Sequence, residues 1–173
     1  DTGACAVLIA DIVLNEGDVA ECDGNKQAQW REWNPIGDHD TPYTGIFDGA
    51  GYSISGLYID DEELTYAGIF GYISGTCSIG NLVLTNSYIR AYNYAGGVCG
   101  YMYGVDDKKN VENISKIFNC FVNESVITSA LFSGGICGGA CNMFFLFSCL
   151  NTANVMGTGD NAHAGGICGN VPI

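Results

Sequence analysis

Asp60-Asp61-Glu62-Glu63 is the longest unbroken run of carboxylates in the chain. A hard cation such as Ca²⁺ takes roughly six to eight oxygen ligands, and acidic loops supply them. The competing reading of these four carboxylates is a solvated turn between strands, and it is the preferred one. Asp106-Asp107 is a weaker version of the pattern, partly neutralised by Lys108 and Lys109. Asp38-His39-Asp40 has the ingredients of a transition-metal or acid–base cluster, but its place just before Pro42 reads as a polar loop. Cys137 and Cys141 have a Cys-x₃-Cys spacing, half of a zinc site without a second pair at the usual distance. No nucleophile–base set stands out. The expectation is therefore no catalytic residue and no cofactor, with calcium at Asp60, Asp61, Glu62 and Glu63 as the one metal worth testing.

The elements that carry these residues come from a repeat. Tyr66-Ala67-Gly68-Ile69-Phe70-Gly71-Tyr72, Ala95-Gly96-Gly97-Val98-Cys99-Gly100-Tyr101, Ser133-Gly134-Gly135-Ile136-Cys137-Gly138-Gly139 and Ala164-Gly165-Gly166-Ile167-Cys168-Gly169-Asn170 say nearly the same thing. A second half also recurs, as Ile79-Gly80-Asn81-Leu82-Val83-Leu84, Ile117-Phe118-Asn119-Cys120-Phe121-Val122 and Leu146-Phe147-Ser148-Cys149-Leu150-Asn151. The unit is about 29 residues long, and such a unit buries its apolar face only by stacking on its neighbours. The interval from Gly100 to Asn119 is longer by a charged stretch near residues 104–112, which should be a loop on the outside of the stack.

Each half is a short apolar run rich in Ile, Val, Phe and Tyr, bounded by Gly, Asn, Ser and Thr, and reads as strand. Two or three such strands per unit fit a coil of a parallel β-helix. A propeller blade would need a longer unit, about 40 residues with four strands. Gly71, Gly100, Gly138 and Gly169 should mark equivalent corners of successive coils, because glycine takes φ > 0 without strain. The first third, residues 1–60, is less regular, and a polar excursion carrying Trp30 and Trp33 interrupts it.

Ala10-Asp11-Ile12-Val13-Leu14, Trp33-Asn34-Pro35-Ile36-Gly37, Tyr43-Thr44-Gly45-Ile46-Phe47-Asp48-Gly49, Ile54-Ser55-Gly56-Leu57 and then the Ala-Gly-Gly-aliphatic-x-Gly repeats follow in an order that resembles the GLUG-motif proteins. The resemblance covers nearly the whole chain. It implies an all-β, right-handed parallel β-helix of about five coils in one domain. It also implies a bacterial secreted or cell-surface protein. Such segments occur in proteins with adhesive, enzymatic or unknown roles. The family's usual aliphatic at the second core position is replaced here by Phe70 once and by cysteine three times.

Those cysteines form rows. Cys99, Cys137 and Cys168 hold one repeat position, and Cys120 and Cys149 hold another. Stacked residues on parallel strands have side chains pointing the same way, which suits disulfide geometry poorly. A mostly unbridged thiol ladder of small hydrophobes is expected. Ile69, Val98, Ile136 and Ile167 should form an adjacent row, with alternation letting only one of the two rows face the core. Cys5 and Cys22 flank the first strand and could bridge. His163 takes the position of Tyr94 and Phe132 and should pack at a corner.

Composition narrows the partners. The formal charge is −13, from 19 acidic and 6 basic side chains. Such a surface repels phosphate backbones and anionic headgroups, which argues against nucleic acid and membrane surfaces. No run approaches the roughly 20 apolar residues of a membrane span. No leader sequence is recognisable, and the chain opens and closes inside repeat patterns, so it reads as a piece of something longer. Its open ends should promote self-association or contact with other domains of a surface protein. Two functions follow. The first is a non-catalytic structural or adhesive segment. The second is a carbohydrate-binding or carbohydrate-active β-helix, which would need exposed aromatics and, for hydrolysis, two carboxylates at a fixed separation. Ice binding would need a flat threonine ladder, and Thr85, Thr128, Thr152 and Thr158 do not form one.

Overall fold

The computed structural model describes residues 3–104 and 114–172. The charged stretch near 104–112, with Asp106 and Asp107, lies outside the described residues beyond Gly104. The described chain forms 22 short strands and is wound into coils. The first coil supplies β1 (Ala6–Val7) and β2 (Ile12–Val13), then leaves on the excursion. The second holds β3 (Ile46–Asp48), β4 (Ser53–Ser55), β5 (Tyr58–Asp60), β6 (Tyr66–Ala67) and β7 (Phe70–Ser74). The third holds β8 (Ser78–Gly80), β9 (Val83–Thr85), β10 (Tyr88–Ala91), β11 (Tyr94–Gly96) and β12 (Cys99–Tyr103). The fourth holds β13 (Ser115–Phe118), β14 (Phe121–Val122), β15 (Val126–Ser129), β16 (Phe132–Gly134) and β17 (Cys137–Cys141). The last holds β18 (Phe144–Phe147), β19 (Leu150–Asn151), β20 (Asn154–Gly157), β21 (His163–Gly165) and β22 (Cys168–Asn170).

Every pairing between these strands is parallel and joins one coil to the next. Five sheets result. In chain order, the first runs β1-β3-β8-β13-β18 and the second β2-β4-β9-β14-β19. The third, fourth and fifth each stack four strands, from β5 to β20, β6 to β21 and β7 to β22. This is a parallel β-helix of five coils. Each of the four later coils has five brief strands where the sequence suggested two or three, and the first has two. The runs bend so often that one apolar stretch spans two sheets.

The corners are not made by the recurrent glycines. Gly71, Gly100, Gly138 and Gly169 do stack in one row, beside the paired Phe70–Cys99–Cys137–Cys168 column, but they sit inside strands of the fifth sheet and have no positive φ. Their requirement is space. A Cβ on Gly100 would lie 2.7 Å from the Ala67 nitrogen, and one on Gly138 would lie 2.6 Å from the Gly100 oxygen. The left-handed corners instead carry Asn81 (φ 55°), Asn119 (φ 50°) and Ser148 (φ 53°) between the first and second sheets. Asparagine tolerates this region because its short side chain bonds locally. Here it also bonds along the stack. Asn81 Nδ2 donates to Asp48 Oδ1 at 2.9 Å, and Asn119 Nδ2 donates to Asn81 Oδ1 at 3.1 Å.

The interior is one continuous cluster. Ile79 and Ile117, Leu84 and Val122, and Ile89 and Ile127 stack as fully buried rows. Both rows that alternation was expected to separate also lie in it. Ile69, Val98 and Ile136 are buried, and so are Phe70, Cys99 and Cys137. Ile69, Val98 and Ile136 precede the fifth-sheet strands and stand in the bend after the fourth sheet. Alternation holds along a straight strand. Where the chain turns, two successive side chains face inward, so no second layer is needed over either row.

Candidate functional site

The excursion folds back on the turn that follows β5 and encloses an open groove of about 670 Å³. One wall carries Asp38, His39 and Asp40, and the other carries Asp61, Glu63 and Tyr66. Two acidic motifs far apart in the sequence thus meet at one place. Nothing local announced this, because the meeting depends on where the excursion re-enters the stack. Ile36 and Tyr43 bridge to Phe70 and Ile73, and the Trp33 backbone N–H donates to the Tyr58 carbonyl at 2.8 Å.

Most of these carboxylates have partners. Asp38 Oδ1 accepts from the Thr41 N–H at 2.7 Å, the Thr41 hydroxyl at 2.9 Å and the Asp40 N–H at 3.0 Å. The Thr41 N–H and hydroxyl hold its carboxyl below the usual range. His39 Nδ1 lies 3.2 Å from Asp40 Oδ1. Its ring meets Tyr72 edge-on at 5.5 Å. Asp61 Oδ1 accepts from the Glu63 N–H at 2.8 Å and the Leu64 N–H at 3.2 Å, which closes a tight turn. Asp60 and Glu62 are both taken by Arg90 of the next coil. Arg90 Nε bonds Asp60 Oδ1, and Nη1 bonds Glu62 Oε1 at 2.9 Å. The bond to Asp60 raises the guanidinium pKa further. The Tyr58 hydroxyl donates to the other Asp60 oxygen at 3.1 Å, and burial pushes that phenol up. Arg90 pairs with Asp60 in register across β5 and β10, a relation legible only once the coils are aligned. A cation at the Asp60–Glu63 run would have to compete with Arg90.

Beside the groove a column of rings climbs the fourth sheet. Tyr66 and Tyr94 stack at 5.7 Å, Tyr94 and Phe132 at 5.0 Å, and Phe132 and His163 at 5.6 Å. Planes differ by only 15° to 19°. A second column on the fifth sheet stacks Tyr72 on Tyr101 at 5.4 Å and meets the first edge-on, Tyr94 to Tyr101 at 4.8 Å. Burial pushes the Tyr72 phenol up to about 12. His163 therefore joins a ring ladder. The signal for the second column is the tyrosine that follows both Gly71 and Gly100.

All nine cysteines are free thiols. Cys99, Cys137 and Cys168 are paired residue to residue, and Cys120 stacks between Leu82 and Cys149 at the bend before the second sheet. The contact with the Cys137 sulfur, and then burial, raises the Cys168 thiol. Cys137 lies in the core, while Cys141 is half-buried beside the Tyr101 hydroxyl, so the two do not converge on one metal position. Cys5 is exposed, and Cys22 is buried in a separate small cluster with Trp30, Tyr58 and Tyr88.

No protein-family model matches the chain. Over 83 residues the chain is 39% identical to a protein of Evansella cellulosilytica named "Putative Gly-rich membrane protein", a match that covers 46% of this chain and 10% of that one. The chain thus spans about a tenth of the length of that relative. Its fold is similar to the crystal structure of a "putative immunoglobulin A1 protease from Bacteroides ovatus", with a TM-score of 0.73 and 23% identity. That likeness covers 96% of this chain and 46% of the other. At such identity what the two share is the fold, and the coils described above are what this chain contributes to it.

Proposed function

We propose that this chain is a non-catalytic structural or adhesive segment of a larger bacterial protein that is secreted or held at the cell surface. One observation carries the reading: most of the groups that would do chemistry or bind sugar are spent on one another. Sugar stacking needs open ring faces, yet the faces of Tyr66, Tyr94, Phe132 and His163 are turned to their neighbours in the column. Hydrolysis needs two free carboxylates across a sugar, yet Asp60 and Glu62 bind Arg90 while Asp38 and Asp61 close turns. The groove brings no serine or cysteine to His39 among its described lining residues, so the neighbour's protease name finds no matching nucleophile there. The relative named as a membrane protein supports a surface location.

In this reading the partners are other copies or other domains of a surface protein, not nucleic acid or lipid. Carbohydrate binding is the second reading, and the edges of the half-buried rings beside the groove, Tyr66 and Tyr94, are what favours it. The segment works without a cofactor, and its stack does not depend on calcium. Turnover of a polysaccharide panel, read as released reducing ends, is expected to stay at background. Turnover that is abolished in Asp60→Asn or Asp61→Asn would overturn the reading. Melting curves in Ca²⁺ and in EDTA should coincide.

A further inference from the structure

The third sheet carries a second apolar cluster on its outer face. Ile59, Ile89 and Ile127 point into the core, so the residues before them, Tyr58, Tyr88 and Val126, point out. The Tyr58 and Tyr88 rings stack at 5.8 Å with planes 21° apart, yet both are buried. Residues 16–30 cover them, laying Val19, Cys22 and Trp30 against the pair in a cluster separate from the core. This cover contributes no strand, since none lies between β2 and β3. It is a closed loop. Asn15 grips Arg31 at its neck, with Nδ2 donating to the Arg31 carbonyl at 2.9 Å and Oδ1 accepting the Arg31 N–H at 2.7 Å. Inside it, the Asn25 N–H donates to the Cys22 carbonyl at 2.7 Å, and the Trp30 Nε1–H to the Glu16 carbonyl at 2.8 Å. Its described hydrogen bonds to the coils both involve Asn86. The Ala20 N–H donates to Asn86 Oδ1 at 3.2 Å, and Asn86 Nδ2 donates to the Gly17 carbonyl at 2.7 Å.

We propose that residues 16–30 are a latch that opens as one unit about the Asn15–Arg31 neck while the coils stay folded. The loop closes on itself through its own bonds, so it can leave whole. The sheet beneath loses no strand pairing when it goes, because β5, β10 and β15 bond to one another without it. A segment with a small apolar contact and no place in a ladder opens at a lower free energy than the whole fold. Its contacts run along the side of three successive coils, at Tyr58, Tyr88 and Val126, and not across an end of the stack. Opening uncovers two stacked phenols beside the Asp60–Arg90 pair. In the closed form Trp30, 5.7 Å from Tyr58, holds that place. A partner that stacks on these rings therefore meets them only in the open form.

Cys22 is the reporter. Native-state labelling of the full chain with N-ethylmaleimide, mapped by mass spectrometry, should modify Cys22 about tenfold or more faster than Cys77 and Cys99, which are fully buried in the coils. The Cys22 rate should rise gently with urea and the other two steeply, because opening the latch exposes little surface. Trp30→Ala should speed Cys22 labelling by about tenfold and leave Cys77 and Cys99 unchanged. Asn86→Gly should act in the same direction from the coil side. Asn86 has φ 47°, which glycine takes without strain, so this variant keeps the fold. Cys22 reacting in step with Cys77 would overturn the proposal, since the loop would then open only with the whole molecule. Fast labelling that neither substitution changes would overturn it too, because the thiol would be reached through the closed loop. A rise at all three cysteines would make the loop part of the cooperative core and equally end the proposal. Turnover is not read here, so this proposal and the non-catalytic reading fail separately.

Discussion

At the N-terminal end the chain folds back over its own second coil, whereas at the C-terminal end the last coil holds its inward row half uncovered. Trp30 packs on Tyr58 at 5.7 Å and donates its Nε1–H to the Glu16 carbonyl at 2.8 Å. The Trp33 Nε1–H donates to the Ile69 carbonyl at 3.1 Å. Asn15, itself buried, holds both ends of the detour, with Nδ2 donating to Gly56 O and Arg31 O and Oδ1 accepting from the Arg31 N–H. Equivalent positions at the other end tell the opposite story. Ile117 is fully buried and Leu146, one coil on, is not; Ile136 is buried and Ile167 is not. The difference teaches that a coil's stability is borrowed from its neighbours. The same side chain contributes fully when covered on both sides and partly when covered on one.

Truncating the same column at two heights should show the largest effect. Ile117→Ala is expected to cost about 3–4 kcal/mol, as for buried aliphatic deletions, and Leu146→Ala about 1–2 kcal/mol, read by urea denaturation. Equal losses would break the comparison. The next contrast uses one glycine row. A Cβ on Gly135 would run into Gly166 O and the Asn151 side chain, while one on Gly166 meets nothing within 4 Å. Gly135→Ala should lose about 1–3 kcal/mol by overpacking, and Gly166→Ala should stay within about 0.5 kcal/mol of the wild type.

Alkaline pH should separate the two halves. Burial pushes the Tyr43 and Tyr72 phenols up to about 12, and the ten tyrosines all precede the fourth coil. A phenol raised above its unfolded value of about 10 stabilises the fold fully below that pH, and the contribution is lost as pH rises towards the folded value. Unfolding between about pH 10 and 12 should therefore begin at the capped, tyrosine-rich end. Hydrogen exchange mapped by residue would check it, and earlier opening of β18–β22 in that window would contradict it. The smallest effect belongs to the Asp60–Glu62 turn beside the cap. Arg90→Met should lose no more than about 1 kcal/mol, since the pair is partly solvated, and thermal unfolding at low and high salt would read it.

Much of the fold was legible because stacking turns sequence period into register. The matches of Ile79, Ile117 and Leu146, and of Cys99, Cys137 and Cys168, are the pairings seen. The candidate site was not legible. Asp38–Asp40 and Asp61–Glu63 meet only because the excursion returns beside β6, and no period encodes that return. The assignment of corners to glycine also went astray. Recurrent glycine signals either φ > 0 or close approach, and sequence does not distinguish the two. In this chain asparagine and serine carry the left-handed corners between the first and second sheets of the last three coils, and the recurrent glycines let the backbones of the fourth and fifth sheets pass.

By itself, then, the sequence determined that this chain is β, repetitive and stacked in parallel coils, because a unit of about 29 residues with apolar runs has no other way to bury them. It also determined a strongly acidic composition, with 19 acidic against 6 basic side chains. Only the tertiary structure decided which rows face inward, since that depends on where the chain bends and not on strand alternation. Only it decided that the Asp60–Glu63 carboxylates answer to Arg90 and that the rings face one another. Those relations join residues a whole coil apart, and they exist only once the coils lie in register.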